Sequence, residues 1–246
     1  MKHINKITIS IVSHRQFQIL KPLLKDLKSC KFIAKIILTI NIDEEIKKPK
    51  WINELPITWV YNTSAKGFGC NHNNAFKLCR TKYFIVLNPD IRLRENVFID
   101  LIKIKEQEKI NIIGPLIKDS YDRTSINSRK FPNIFFLFSK LLLKKQSQYF
   151  YQQNKNVMFT DWIGGMFLII SKNDYKLLNG FDEDYFLYFE DVDLCKRAKN
   201  LGFVVAQSKN IEVIHHAQRK SHHHLIYFLY HLKSYFLFMK KHFFSL

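Results

Sequence analysis

The chain has 246 residues, 47% hydrophobic and 15% aromatic, which suits one large domain with a real core and excludes a disordered polymer. Lys and Arg number 39 against 21 Asp and Glu, a formal net charge of +18 that favours anionic partners: nucleic acid, an acidic membrane surface or phosphorylated substrates. The four cysteines, Cys30, Cys70, Cys79 and Cys195, form no Cys-x-x-Cys pair and no metal-ligand spacing, so they read as isolated reduced thiols in a cytosolic protein.

"KITISIV" (6–12) alternates with β-branched residues and predicts a strand; with no small-residue cleavage site after it, it is not read as a signal peptide. "QFQILKPLLKDLKSC" (16–30) has Ile19, Leu20, Leu23, Leu24 and Leu27 at helical spacing, with Pro22 either in the first turn or kinking the helix. "AKIILTIN" (34–41) and "ITWVYN" (57–62) predict two more strands. "GCNHNNAFKLCR" (69–80) predicts a helix after a glycine turn. "KYFIVLN" (82–88) is a continuous apolar run, hence a buried strand, and "ENVFIDLIKIKEQEK" (95–109) is helical. This β-α-β-β-α-β-α order implies a mostly parallel sheet with helices on its faces, whose ligands bind beyond the carboxyl ends of the strands. "LNPD" (87–90) lies at such an end.

Residues 118–160 are polar, aromatic and irregular, a loop over the site or a plain insertion. "DWIGGMFLIIS" (161–171) resumes a strand after a Gly pair, and "NDYKLLNG" (173–180) is a short helix closed by Gly180. "EDVDLCKRAKNLG" (190–202) is a helix with Val192, Cys195, Ala198 and Leu201 on one face, acids in its first turn, bases in its last and Gly202 as a stop. On the residues alone those acids read as helix capping more readily than as catalysis. The tail, 222–246, mixes apolar and aromatic residues with Lys and His at roughly helical spacing; it packs on the core or lies in a membrane interface. The uncharged runs "IFFLF" and "LIYFLY" are too short to span a bilayer.

Four stations line up: "NPD" (88–90), "DWIGGMF" (161–167), "FEDVD" (189–193) and "VIHHAQRKSHHH" (213–224). Their order resembles the family 2 glycosyltransferases with a GT-A fold, and within them the bacterial rhamnosyltransferase-like branch that builds lipopolysaccharide O-antigen and capsule. The resemblance runs from "ITISIVSH" to about Ser221. Its longest part is "GGMFLI" followed by "NGFDEDYFLYFEDVDLCKR"; "KGFGCNHNNAF" (66–76) matches the segment before the nucleotide-sugar site, and "LNPD" the metal-binding Asp-x-Asp-type motif with Asn first.

The resemblance implies an α/β GT-A fold, a nucleotide-sugar half over 1–117, an acceptor and catalytic-base half over 118–221, and the tail 222–246 as a basic aromatic helix. It implies an inverting transferase of the hexosyltransferase class. Asp191 would be the general base. Trp162, Gly165, Glu190 and Asp193 would meet the acceptor. Ser13, Asn41, Lys66, Gly67, Phe68, Asn71, Asn88 and Asp90 would meet the donor. Asp90 and His215 would hold a divalent cation, Mg or Mn, on the donor's diphosphate, with His216 as the rival of His215 and with Arg219 and Ser221 placed for the diphosphate. The chemistry fits these types: a leaving diphosphate gathers negative charge that a cation offsets, and an attacking hydroxyl must lose a proton to a carboxylate. Phe186, Tyr188 and Phe189 would form a wall on which a sugar stacks.

Two departures bear on the donor. "ILTINIDEE" puts Thr39 or Asn41 where relatives carry Asp, and "SHRQ" ends the first strand differently. The expected donor is dTDP-rhamnose, with a UDP-sugar as rival. The expected acceptor is a lipid-linked saccharide, met by a protein lying peripherally on the anionic inner face of the cell membrane. An inactive glycosyltransferase-like membrane-surface protein is the alternative. A nucleic-acid-binding protein is not expected, because the basic residues are scattered and match no known module.

Overall fold

The computed structural model of the chain describes residues 6–30, 32–94, 97–125, 127–132, 154–216 and 225–244. The elements run β1 (Ile7–Ser13), α1 (Phe17–Lys28), β2 (Ile33–Ile40), β3 (Ile57–Tyr61), α2 (Phe68–Phe76), β4 (Tyr83–Leu87), β5 (Ile91–Arg92), α3 (Val97–Gln107) and β6 (Ile112–Lys118). The second half holds β7 (Thr124–Ser125), β8 (Ser128–Arg129), β9 (Val157–Phe159), β10 (Trp162–Ile163), β11 (Phe167–Ser171), α4 (Lys172–Leu177), α5 (Glu190–Asn200), β12 (Val205–His215) and α6 (Leu225–Phe243).

The main sheet has the order β3-β2-β1-β4-β11-β6-β12-β5, with β7 on β6 and β9 on β12; β8 and β10 form a separate antiparallel pair. β3, β2, β1 and β4 are parallel, and β6 is parallel to β12. β11 runs against both neighbours. The sheet is thus mostly parallel, as expected, with one reversed strand at its centre.

Both faces of the sheet are covered, which is why its strands read as unbroken apolar runs. Tyr83, Ile85 and Leu87 of β4 join Leu20, Leu23, Leu24, Leu27, Phe98 and Leu101 on the α1/α3 side. Phe84 and Val86 join Ala75, Tyr175, Leu194, Cys195 and Ala198 on the α2/α4/α5 side. α1 runs straight through Pro22, neither starting nor stopping there. The missing N–H costs one bond, and five buried residues of that helix, Phe17, Leu20, Leu23, Leu24 and Leu27, hold it regardless. Ile19 and Leu201, expected inside, are 38% and 56% exposed at the edges of their helices. Gly180 and Gly202 close α4 and α5 with positive φ of 68° and 76°. All four cysteines are free.

Two central strands, β6 and β12, carry no expectation from the sequence. Pro115 interrupts the first, and the register of the second breaks between Gln207 and Glu212. The irregular expectation over 118–160 falls partly on 133–153, and Arg219 and Ser221 also lie outside the described residues.

Candidate active site

β4 ends at Leu87, and the chain then turns through Asn88 and Asp90 into the two-residue β5. β5 pairs with the end of β12, Ile91 opposite His215. That pairing sets His215 Nε2 3.2 Å from Asp90 Oδ1. Both side chains are nearly buried, at 13% and 8% exposure. The contact lacks hydrogen-bond alignment, so Asp90 Oδ1 is buried without a hydrogen-bond partner. His216 turns away: its Nδ1 is 2.7 Å from Ser120 Oγ, and only its backbone N–H reaches the Asp90 carbonyl. Of the doubled histidines, His215 is therefore the one beside Asp90.

The expected donor side is built on an amide network. Asn41 Oδ1 accepts from the Lys66 N–H and from Asn62 Nδ2, both at 2.9 Å, while its Nδ2 donates to the Lys66 carbonyl at 2.9 Å. Asn71 Nδ2 donates to the Lys66 and Gly67 carbonyls, and its Oδ1 accepts from Asn62 Nδ2 at 2.7 Å. Asn41 and Asn71 are thus 5% and 1% exposed and spend their groups on the 66–67 backbone, shaping the loop rather than projecting from it. Ser13 is fully buried; its hydroxyl donates to Glu44 Oε1 at 2.5 Å, and Glu44 Oε2 accepts from the Phe17 N–H at the start of α1. Lys66 itself is exposed. Asn62 and Glu44 are network members that the sequence reading missed; nothing in their local pattern marks them.

The loop then meets the other half of the chain. Phe68 N–H donates to the Phe186 carbonyl at 2.9 Å, and a Cβ on Gly67 would stand 2.8 Å from that oxygen, so only glycine fits. The Phe68 ring packs on His72 and Phe181, with centroids 4.4 and 5.8 Å away. It also borders Gly165, whose added Cβ would lie 3.2 Å from Phe68 Cε1 and 3.4 Å from Asp191 Cβ. The Asn88 N–H donates to the Met166 carbonyl at 2.8 Å. The "NPD", "GG" and "FEDVD" stations therefore meet along one seam.

At that seam α5 begins with two consecutive left-handed non-glycine residues, Tyr188 and Phe189, both at φ 68°. Such residues cost of order 1–3 kcal/mol each and persist only where neighbours over-determine them. The turn presents Asp191, which is partly exposed. Its Oδ2 accepts from the Gly165 N–H and its Oδ1 from the Val192 N–H, both at 2.8 Å. Burial raises the Asp191 carboxyl above the ordinary aspartate range, against the lowering pull of these N–H groups and the Arg129 charge. Burial outweighs the helix-end effect. Glu190 beside it is 5% exposed, and its Oε2 has no hydrogen-bond partner. Burial first, and the Asp191 charge second, push its carboxyl well above the usual range.

The remaining acids have other work. Asp193 is 1% exposed, its Oδ2 taken by Arg197 Nε and its Oδ1 by His242 Nε2, both at 2.7 Å. It had been expected to meet the acceptor; both its oxygens are instead held by protein groups. Asp182 and Asp184 pair with Lys241 at 2.5 and 2.6 Å. The aromatics likewise face the tail: Phe189 packs on His231, Tyr235 and Phe238, Tyr188 on His231, and Phe186 on Tyr230. The expected sugar-stacking wall is thus turned toward α6. Ser234 Oγ adds a bond to the Leu187 carbonyl at 2.9 Å. The tail is no loose appendage; its inner face is what holds the Tyr188–Phe189 turn. Trp162 lies half-buried, its Nε1 donating to the Lys130 carbonyl at 3.0 Å, with the Arg129 guanidinium 5.8 Å from its ring. Arg129, a cation beside Asp191, was not legible in sequence because residues 118–160 show no periodicity.

Among the described residues no group of three or more His, Cys, Asp or Glu is placed to hold a metal. Asp90 and His215 supply two ligands at most. That number fits a cation that takes its other ligands from substrate phosphates and water, as Mg²⁺ does in many phosphate sites, and the buried partnerless oxygen of Asp90 suits such a ligand.

The mostly parallel sheet with a reversed central strand is that of a GT-A fold, and the relatives of the chain make it a glycosyltransferase. The mannosyltransferase PcManGT from Pyrobaculum calidifontis, solved with GDP-Man and Mn²⁺, superposes with a TM-score of 0.65 at 11% identity, covering 98% of this chain and 65% of that one. GalNAc-T7, solved with UDP, GalNAc and Mn²⁺, gives 0.63 at 12% identity over 87% of this chain and 43% of that one. Among curated relatives, the rhamnosyltransferase WbbL of Escherichia coli K12 is 27% identical over 95% of this chain and 92% of its own length. The N-acetylglucosaminyl-diphospho-decaprenol L-rhamnosyltransferase of Mycobacterium tuberculosis is 25% identical over 54% of this chain and 47% of its own. The chain thus matches nearly all of the first relative but spans under two thirds of the mycobacterial relative and of both solved chains. No family model matches the sequence.

Proposed function

We propose that the protein is an inverting, divalent-cation-dependent rhamnosyltransferase that takes rhamnose from dTDP-rhamnose to a lipid-linked saccharide in lipopolysaccharide, O-antigen or capsule assembly. The observation that carries this reading is Asp191, a raised carboxylate held by two backbone N–H groups on the seam it shares with the "NPD" corner. The rhamnosyltransferase relatives support the sugar, and the mycobacterial one, named for a diphospho-decaprenol substrate, supports a lipid-linked acceptor.

In this reading the acceptor hydroxyl gives its proton to Asp191. Each Asp191 oxygen accepts one N–H and keeps a lone pair free, so the group is oriented without being consumed. The hydroxyl oxygen bonds to the anomeric carbon as the bond from that carbon to the diphosphate breaks, and the electron pair leaves with the diphosphate. A single displacement inverts the centre. A divalent cation on Asp90 and His215 would offset the charge of the departing diphosphate. The strained turn and the Gly165 N–H hold the base in place before substrate arrives, so little reorganisation is left for the reaction itself. Lys66 and Phe68 line the donor side, with Asn41, Asn71 and Ser13 holding their loop and strand ends.

Thermal stability with dTDP, UDP and GDP, each with and without Mn²⁺, tests the reading on wild type and Asp90→Ala. A Mn²⁺-dependent rise with dTDP, lost in the variant, is the expected result. A rise with UDP instead would reassign the donor. No rise with any nucleotide would leave the inactive reading.

A further inference from the structure

α6 has two apolar faces. Its inner face buries Ser234, Phe238 and Met239 against Tyr185, Phe189 and Val192. Its outer face carries Leu225, Phe228, Leu229, Leu232 and Phe236, exposed by 74, 56, 51, 39 and 61%. Their spacing of three, four and seven places them in one stripe, the pattern of a helix buried on that side as well. Phe243, 44% exposed, is partly covered by the inner-face Phe238 and by Lys196, whose Nζ is 5.9 Å from its ring; the five residues of the stripe stand open to solvent. A helix of 19 residues needs only its inner face to stay on the protein, so five large exposed apolar groups in register mark a contact surface.

We propose that this outer stripe is an interfacial docking surface for an anionic lipid bilayer, with α6 lying flat in the headgroup region. The charge of the protein selects the occupant: Lys233 and Lys240 are exposed at the flank of the stripe, and the chain carries +18 overall. No described helix is long and apolar enough to cross a membrane, so the stripe lies on the bilayer and does not span it. The inner face of the same helix holds the turn that presents Asp191. Docking therefore fixes the seam at a constant distance from the bilayer, where a lipid-linked acceptor would be met. This deepens the function proposed above and rests on it only for the acceptor; the docking itself needs no turnover.

Flotation of the full chain with vesicles of phosphatidylethanolamine and phosphatidylglycerol, against vesicles of phosphatidylcholine alone, tests this. The expected result is co-flotation with the anionic vesicles, at least about tenfold weaker on phosphatidylcholine. Leu229→Glu/Phe236→Glu, with both sites exposed, should keep the melting temperature and lose at least about tenfold in flotation. Lys233→Glu/Lys240→Glu should lose the preference for anionic vesicles. Wild type that stays in the soluble fraction, or a Leu229→Glu/Phe236→Glu protein that floats like wild type, would overturn the proposal. So would a wild-type dimer in solution that the same variant turns into monomer, because the stripe would then belong to a second copy. Failure here with intact dTDP binding would leave the catalytic reading standing, and the converse result would leave the docking surface standing.

Discussion

Gly165 donates its backbone N–H to Asp191 Oδ2 at 2.8 Å from a position where a Cβ would be tight. That Cβ would crowd the edge of the Phe68 ring at 3.2 Å and touch Asp191 Cβ at 3.4 Å. Gly165→Ala is therefore expected to shift the Phe68 ring, or the Gly165 N–H that orients Asp191, by a few tenths of an ångström and lower kcat about tenfold, since small misplacements of a reacting group are costly. Steady-state kinetics beside a melting curve check this; a fall in Tm of many degrees with kcat intact would show that the glycine serves only packing.

Asp191→Asn should lower kcat by about 10²–10⁴-fold, the usual worth of a general base, with the fold retained. In the wild type the raised carboxyl takes up its proton at a higher pH than an ordinary aspartate, so kcat/KM should fall as pH drops through that raised value. Arg129 opposes the rise, so Arg129→Ala should move the acid limb of the pH profile upward. A limb that stays in place would remove Arg129 from the electrostatics of the base.

Glu190 gives a stability prediction. Its folded carboxyl is raised, so the folded state binds the proton more tightly than the unfolded chain does. That contribution is complete below the ordinary carboxylate range and is lost as pH rises through the raised folded value. Glu190→Gln should thus be more stable than wild type at pH 7 to 8 by roughly 1–3 kcal/mol, the scale of one buried unpaired polar group, and the gap should close toward about pH 4. Denaturant melts across that range measure it.

His215 faces Asp90 and His216 faces Ser120. His215→Ala should weaken the Mn²⁺-dependent stabilisation by nucleotide about tenfold or more, while His216→Ala leaves it near wild type. Equal effects from both variants would count against a role set by the β5–β12 register.

His242→Ala removes the partner of the buried Asp193 Oδ1 and leaves Arg197 on Oδ2 alone, and should cost about 1–3 kcal/mol. The proton exchange of residues 186–193 should quicken with it, because the same helix holds the Tyr188–Phe189 turn. Unchanged exchange in that segment would separate α6 from the turn.

Much of this was legible in the sequence, and the reasons are local. β1, β2, β3 and β4 declared themselves because apolar, β-branched runs follow from burial, α2 by the glycine turn before it, and α5 by acids in its first turn and bases in its last, as the helix dipole favours. "GFDEDYFLYFEDVDLC" was marked as a site by its resemblance to the family block, since its acids alone read as helix capping, and the distribution of labour within it was not legible. Asp191, Glu190 and Asp193 look alike as letters, and only the fold separates one that meets Gly165, one with a buried oxygen left unpaired and one bound by Arg197 and His242. The same holds for Asn41 and Asn71, whose amides are spent on the Lys66–Gly67 backbone. The partners Asn62, Glu44, Arg129 and His242 are far away along the chain, and no periodicity points to a residue whose importance is set by what crosses the sheet.

The reversed strand has a bearing on how the molecule comes to exist. β11 lies between β4 and β6, with Phe167 opposite Leu87, so the sheet stays split until the second half of the chain has been made. The segment from β1 to β4 can condense early around local pairings, whereas the seam can close only by a long-range strand insertion, a slow step in the folding of such topologies. Before that insertion the facing edges of β4 and β6 are bare. A nascent chain stalled there would expose two of the most apolar edges in the protein, and that interval is where aggregation competes with maturation.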